Sequence, residues 1–273
     1  MLKHVAVVIQ LLVVSTTSVN AMDRYVSYLL NHNANPPQLL RLTFSCESET
    51  SCWSEGPQEI ATLDPAVHHL TCAPRGTCHA LNSNDNTLLT LDITNGEILE
   101  ATPLAENIDP SSLLAFDDHN RPWVLVDETL SRIDLETGAT VQQTELDTPL
   151  QAMVFHHDEL LAADETKILK IDADSAEIEE LADHSSFWGA AWVLGFASDS
   201  QLVWAFVDSA AEPGPATHYA LMRVDPATGD LMTGSTVAYF QRSDFDCQGL
   251  SVRNLEERPD HARGESLATT VLD

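Results

Sequence analysis

The sequence predicts an all-β fold, a β-propeller of four-stranded blades closed by its own two ends, and three observations carry that reading. The first is a recurring hairpin. TLLTLDITNGEIL (87–99), TLSRIDLETGATV (129–141), KILKIDADSAEI (167–178) and ALMRVDPATGDLM (220–232) each read as an apolar alternating strand, an Asp, a short polar turn and a second strand. The second is the period: Asp92, Asp134, Asp172 and Asp225 recur at spacings of 42, 38 and 53 residues, the length of a four-stranded repeat unit. The third is composition. With 44% hydrophobic residues in 273, the chain can bury a sizeable core.

Taken in order, the chain opens MLKHVAVVIQLLVVSTTSVNA. A weakly basic start, an apolar run from Val5 to Val14 and small residues at Val19 and Ala21 fit a secretory signal peptide over residues 1–21. The run is too short to span a bilayer. The expectation is a mature chain from near Met22, folded as one domain over 22–273 and exported to the periplasm or beyond. The next stretch, to Cys52, reads as a pair of strands with LLRLTF in the slot of the Asp-bearing strand. LTCAPRGTCHALNS, LLAFDDHNRPWVLVD and AMVFHHDELLAAD precede the first three hairpins, and each reads strand, turn, strand. GLSV and LATTVL at the carboxyl end would join the amino-terminal strands in one blade and close the ring, which removes exposed edges. Five blades are favoured over six, since the 53-residue spacing has room for extra strands. An open β-sandwich is the rival architecture.

The turns explain themselves. Asp bonds its own backbone two residues on, and Gly96, Gly138 and Gly229 supply a positive φ. The cysteines fall in the same scheme. SCESETSC and TCAPRGTC place Cys46 and Cys52, and Cys72 and Cys78, on either side of short hairpin turns. In an oxidising compartment two local disulfides are expected, each contributing about 2 kcal/mol. Zinc ribbons use closer pairs, and no C-x-x-C is present. Cys247 is left over as a free thiol, a link to another chain, or a sign of different pairing.

Charge excludes some partners. Removal of the leader takes Lys3 from the 13 basic residues and none of the 42 acidic ones, so the net charge moves from −29 to about −30. Such a surface repels nucleic acid and anionic lipid. It suits salty surroundings, where screening relieves self-repulsion, and it attracts cations and basic partners.

These blades, reading roughly L-x-x-I-D-x-x-T-G over most of residues 60–236, resemble secreted propeller-repeat proteins of the YVTN-type and quinoprotein-like superfamily. The resemblance implies the fold and leaves the activity open, because such blades host many functions. Glu55-Gly56-Pro57 resembles the start of gluconolactonase-like propellers, where that Glu binds metal. The aromatic residue that follows there is missing here, and Gln248 stands before Gly249 where that family tends to have Asn.

In propellers, ligands gather at the loops leading into the innermost strands. Here those loops carry Asp64, Asp109, Asp147, Asp183 and Asp244, with Trp188 close to the fourth. A carboxylate ring at a channel mouth suits Ca²⁺ or a basic group, since hard cations prefer oxygen; chance in so acidic a chain is the competing explanation. His68–His69 and His156–His157 are adjacent pairs, which a strand points to opposite faces. Asp172, Asp174 and Glu177 fit the common turn rather than an EF-hand loop. Trp192 and Trp204 read as blade core. No G-x-S-x-G, H-E-x-x-H or P-loop occurs. The expectation is a non-catalytic exported propeller binding a protein or small ligand at the mouth. The alternatives are a metal-dependent hydrolase of the lactonase type and a purely structural envelope protein.

Overall fold

The computed structural model describes residues 23–31, 34, 36–48, 51–74, 76–164, 166–184, 191–198, 202–209, 218–232, 238–241 and 247–254. The leader, LATTVL, Asp244 and Trp188 lie outside them. The described residues form strands and turns and no helix. Four antiparallel units follow one another along the chain. The first blade is β4 (Val67–Cys72), β5 (Cys78–Asn82), β6 (Thr87–Asp92) and β7 (Glu97–Pro103). The second is β8 (Leu113–Phe116), β9 (Pro122–Val126), β10 (Thr129–Ile133) and β11 (Thr140–Glu145). The third is β12 (Ala152–His156), β13 (Glu159–Ala163), β14 (Lys167–Ile171) and β15 (Ile178–Asp183). The fourth is β16 (Ala191–Ser198), β17 (Val203–Ser209) and β18 (His218–Val224), with its outer edge split between β19 (Leu231–Met232) and β20 (Ala238–Gln241).

The fifth blade closes the ring. The carboxyl-terminal β21 (Cys247–Asn254) pairs antiparallel with β1 (Asp23–Asn31), which continues to β2 (Gln38–Ser48) and β3 (Ser51–Thr62). β21 also meets β4 through one parallel bridge, Gly249 to Leu70. The inner strands neighbour one another in the order β4, β8, β12, β16, β21 and back to β4. The fold is thus a five-bladed β-propeller. Among the described residues the 53-residue spacing holds no extra strand, and β16 and β17 are longer than their counterparts in the three preceding blades.

Each blade is a sheet packed on both faces, so its inner strands lose the inside–outside alternation. β5, β8 and β12 are buried throughout, whereas the outer β11 alternates and β7 is exposed at all but one residue. Among the described residues the apolar core divides into five clusters, one at each seam between neighbouring blades.

The turn logic holds in every contiguous blade. The Oδ1 of Asp92, Asp134, Asp172 and Asp225 accepts a backbone N–H two residues on. Their carbonyls accept the N–H four residues on, from Gly96, Gly138, Ala176 and Gly229. Both expected disulfides are present and join directly paired residues: Cys46–Cys52 with Cα atoms 4.1 Å apart and Cys72–Cys78 at 3.9 Å. Cys247 begins β21, and its side chain falls outside the described set.

Candidate functional site

Strand direction assigns the loops to two faces. Every inner strand starts on the same face, reached from the outer strand of the preceding blade, so the described segments before β4, β8 and β12 share one mouth. Asp64 and Asp109 lie there in tight turns. Asp64 Oδ1 accepts the Ala66 N–H at 2.9 Å. Asp109 Oδ1 accepts the Ser111 N–H at 2.8 Å and the Ser111 and Ser112 hydroxyls at 2.7 and 3.2 Å. The Ser111 hydroxyl, with the other turn donors, holds the Asp109 carboxyl below the usual carboxylate range. Asp147 is exposed in its loop, and Asp183 is the last residue of the edge strand β15, also exposed. Among the described residues, no three His, Cys, Asp or Glu side chains converge as a metal cluster.

His68 stands beside Asp109. Its Nδ1 lies 3.0 Å from the Ala66 carbonyl, and burial lowers its pKa against the pull of the Ala66 and Asp109 carbonyls and the Asp109 charge. The pair His68–His69 departs from the alternation expected of neighbours in a strand. The pairing of β4 with β5 shifts register between His68 and Leu70, and His69 takes φ 49°. That bulge turns His69 to the next blade, where its Nδ1 accepts the Leu114 N–H at 3.3 Å. Burial, then the neighbouring His68, pushes the His69 pKa down to about 3. His156 likewise reaches across a seam, its Nδ1 2.8 Å from Ser198 Oγ. These histidines join blades. Glu55 sits exposed on the outer strand β3, far in the blade from the inner strand β21. Trp204 is fully buried core, as its position in the repeat implied.

The opposite face holds a feature that loop reading missed. Between the second and third blades lies a cleft of about 430 Å³. Its floor is Trp123 and Phe155, ring centroids 5.7 Å apart and tilted by 39°. Arg132 lies over the Trp123 ring at 5.8 Å. Asp117 is almost wholly buried, and its oxygens take the His119 and Arg121 N–H groups, Arg121 Nε at 2.6 Å and Trp123 Nε1 at 3.1 Å. Asp117 therefore fixes the indole and one guanidinium in place. One sequence signal points here. The residue two before the repeat Asp is Thr90, Arg132, Lys170 or Arg223, so three of the chain's few cations share one repeat position.

No protein-family model matches the chain, and no curated protein matches it. Solved structures do. A Bacteroides caccae protein aligns at TM-score 0.51 and 10% identity, over 84% of this chain and 98% of that one. Virginiamycin B lyase from Staphylococcus aureus aligns at 0.40 and 13%, over 73% and 66%. Hydrazine synthase from Kuenenia stuttgartiensis aligns at 0.40 and 14%, over 65% of this chain and 49% of that one, so this chain spans about half its length. At such identities the likeness concerns the fold.

Proposed function

We propose that this protein is an exported, non-catalytic binding propeller that receives a cationic ligand or the basic surface of a protein partner at its channel mouth. The observation that carries the reading is the closed ring of inner strands, all of which begin on one face. Asp64, Asp109 and Asp147 lie in three of the leading segments, and Asp183 opens a fourth; Asp244 and Trp188 belong to the two segments outside the described residues. Carboxylates gathered there repel one another, and a positive group relieves the repulsion. Two disulfides accord with an extracytoplasmic chain. The reading is preferred to the lactonase-like hydrolase because the resembling Glu55 lies at the blade rim rather than the mouth.

Calorimetry with Ca²⁺ and with an oligolysine peptide tests it. The intact protein should bind at least one of them, and Asp109→Asn with Asp183→Asn should weaken that binding by about tenfold while preserving the fold. No binding of either probe, or binding that the double variant leaves unchanged, would remove the mouth as the site.

A further inference from the structure

The outer edge of the first blade is finished differently from its neighbours. β7 is the last strand of its sheet, and residues 97–101 are all exposed. Among the described residues their side chains make no hydrogen bond or ion pair, and their outward backbone groups meet no further strand. Two of these side chains are large and apolar: Ile98 is 48% exposed and Leu99 61%. The other outer strands are guarded. β3 carries Gly56 and Pro57 between Glu55 and Glu59. β11 shares the bulge of β7, at Val141 as at Leu99, yet it is tied down. Thr140 and Gln143 donate to Glu106, Gln142 to Asp174 and Thr144 to the Ala173 carbonyl. β15 sets Glu179 and Glu180 outward, and Lys167 holds Glu180. β7 has such a tie only at Thr102, whose hydroxyl donates to the Leu135 carbonyl of the second blade. An exposed apolar edge is a template for one more strand.

The sequence holds a segment suited to that edge and left without a slot in the ring. LATTVL (267–272), outside the described residues, is uncharged and rich in residues that strands favour. The closing blade has its four strands without it: β21, β1, β2 and β3. Strand direction brings segment and edge to one side. β21 runs parallel to β4, from the mouth to the opposite face, and the chain leaves it there at Asn254. β6 runs as β4 does, so the antiparallel β7 begins on that same opposite face. β7 lies about 15 Å from β4, three strand spacings. Residues 255–266 can span up to about 40 Å when extended. They also carry Arg258 and Arg263, opposite in sign to Glu97 and Glu100 on β7.

We propose that residues 267–272 add to the free edge of β7 in the same molecule, as a fifth strand of the first blade. Their apolar side chains cover Ile98 and Leu99, and the arginines of the connecting residues offset Glu97 and Glu100. A short tether gives the segment a high effective concentration at its own blade, and an acidic chain repels a second copy, so the strand comes from within. This edge is on the outer rim, and the inference does not depend on the function proposed above.

Amide hydrogen exchange of the full chain, read by nuclear magnetic resonance, tests it. The amides of residues 97–101 that do not bond to β6 should be protected. Deleting residues 267–273 should speed their exchange by at least about tenfold and leave β11 and β15 unchanged. Thr269→Pro with Thr270→Pro, which removes ladder donors on both faces of the segment at full length, should do the same. Dilution of the unaltered protein should have no effect. The proposal is overturned if these amides exchange freely in the unaltered chain, or if both variants leave them protected. It is overturned as well if β11 and β15 quicken equally, which would mean that the ring has loosened, or if dilution removes the protection, which would assign the edge to a second copy.

Discussion

Two seams of this propeller are built from the same unit and finished differently. The second and fourth blades each place an arginine over a tryptophan on neighbouring strands. In the fourth, the chain's own Tyr25 and Phe44 complete the packing, and they belong to the blade that closes the ring. In the second, the facing surface is charged and a cleft remains. The difference follows from what each seam must hold. The closing blade joins β1 to β21 from opposite ends of the chain, and such non-local pairing carries the entropy of closing the longest loop in the molecule. It needs the densest apolar contact. The second and third blades are held together by a short covalent connection, so their seam manages with a single ring, Phe155, against the indole.

The largest expected effect separates these roles. Trp204→Ala removes a fully buried indole packed by two rings and should cost about 3–5 kcal/mol. Trp123→Ala should fall at the low end of that range, about 3 kcal/mol, because one ring rather than two packs on the buried indole. Chemical denaturation of both variants measures the pair. Equal losses would mean that the two seams are energetically alike and that the second ring adds no packing.

A third seam sharpens the contrast, since it is titratable. Between the first and second blades, His69 accepts the Leu114 N–H, and His79 stacks on Phe116 with ring centroids 4.5 Å apart. Burial pushes the His79 pKa down to about 4, and that of His69 to about 3. Unfolded histidine titrates at about 6.5. A depressed folded value means that this seam's contribution is complete above about pH 6.5 and is lost as pH falls toward the folded values. The turn carboxylates behave otherwise. Asp92, Asp134 and Asp172 are held below 3.8 by hydrogen bonds from their turns, so their contribution is lost only below that value. The melting temperature, taken in near-molar NaCl to screen the acidic surface, should fall between pH 6.5 and about 4, and His79→Phe should flatten part of that slope. A melting temperature flat across this window would show that these histidines are not what joins the seam.

What the sequence made legible was local. The Asp turn is five residues of chain bonding to itself, so Asp92, Asp134, Asp172 and Asp225 announced four hairpins and, by their period, the blades. Each disulfide is local too, joining directly paired residues of one hairpin. The closing blade was legible in outline, from the two ends left to pair; the amino end supplies three strands, β1 to β3, where a pair was expected. The seams were not legible. Arg132, Trp123 and Phe155 come from three strands and Asp158 from a turn of two repeats, and only the twist and spacing of blades bring them together. His69 escaped for a different reason: a one-residue bulge reverses the face that alternation assigns. Of the mouth, the sequence gives the loops but not the reach of each carboxylate, since Asp64 and Asp109 spend theirs on their own turns.

The smallest expected effect tests how far the seams tolerate departures from the repeat. Gly96, Gly138 and Gly229 close their turns at φ 75°, 68° and 73°, and Ala176 does the same at 61°. At Gly138 a Cβ would stand 1.7 Å from the Pro103 carbonyl oxygen of the preceding blade, so that turn admits glycine alone. At Ala176 the methyl group is accommodated and packs on the cluster between the second and third blades, the seam that also holds the cleft. Left-handed backbone costs an L-residue about 1–2 kcal/mol. Replacing Ala176 by Gly relieves that strain but loses the methyl contact and adds about 0.4–1 kcal/mol of unfolded-state freedom. The two sides nearly cancel, and Ala176→Gly should change stability by no more than about 0.5 kcal/mol. A clear stabilisation would mean that the methyl contributes nothing and that this seam is looser than its burial implies. A clear loss would mean that the alanine is a packing residue of the cleft seam, chosen where the neighbouring blade stands back far enough to admit it.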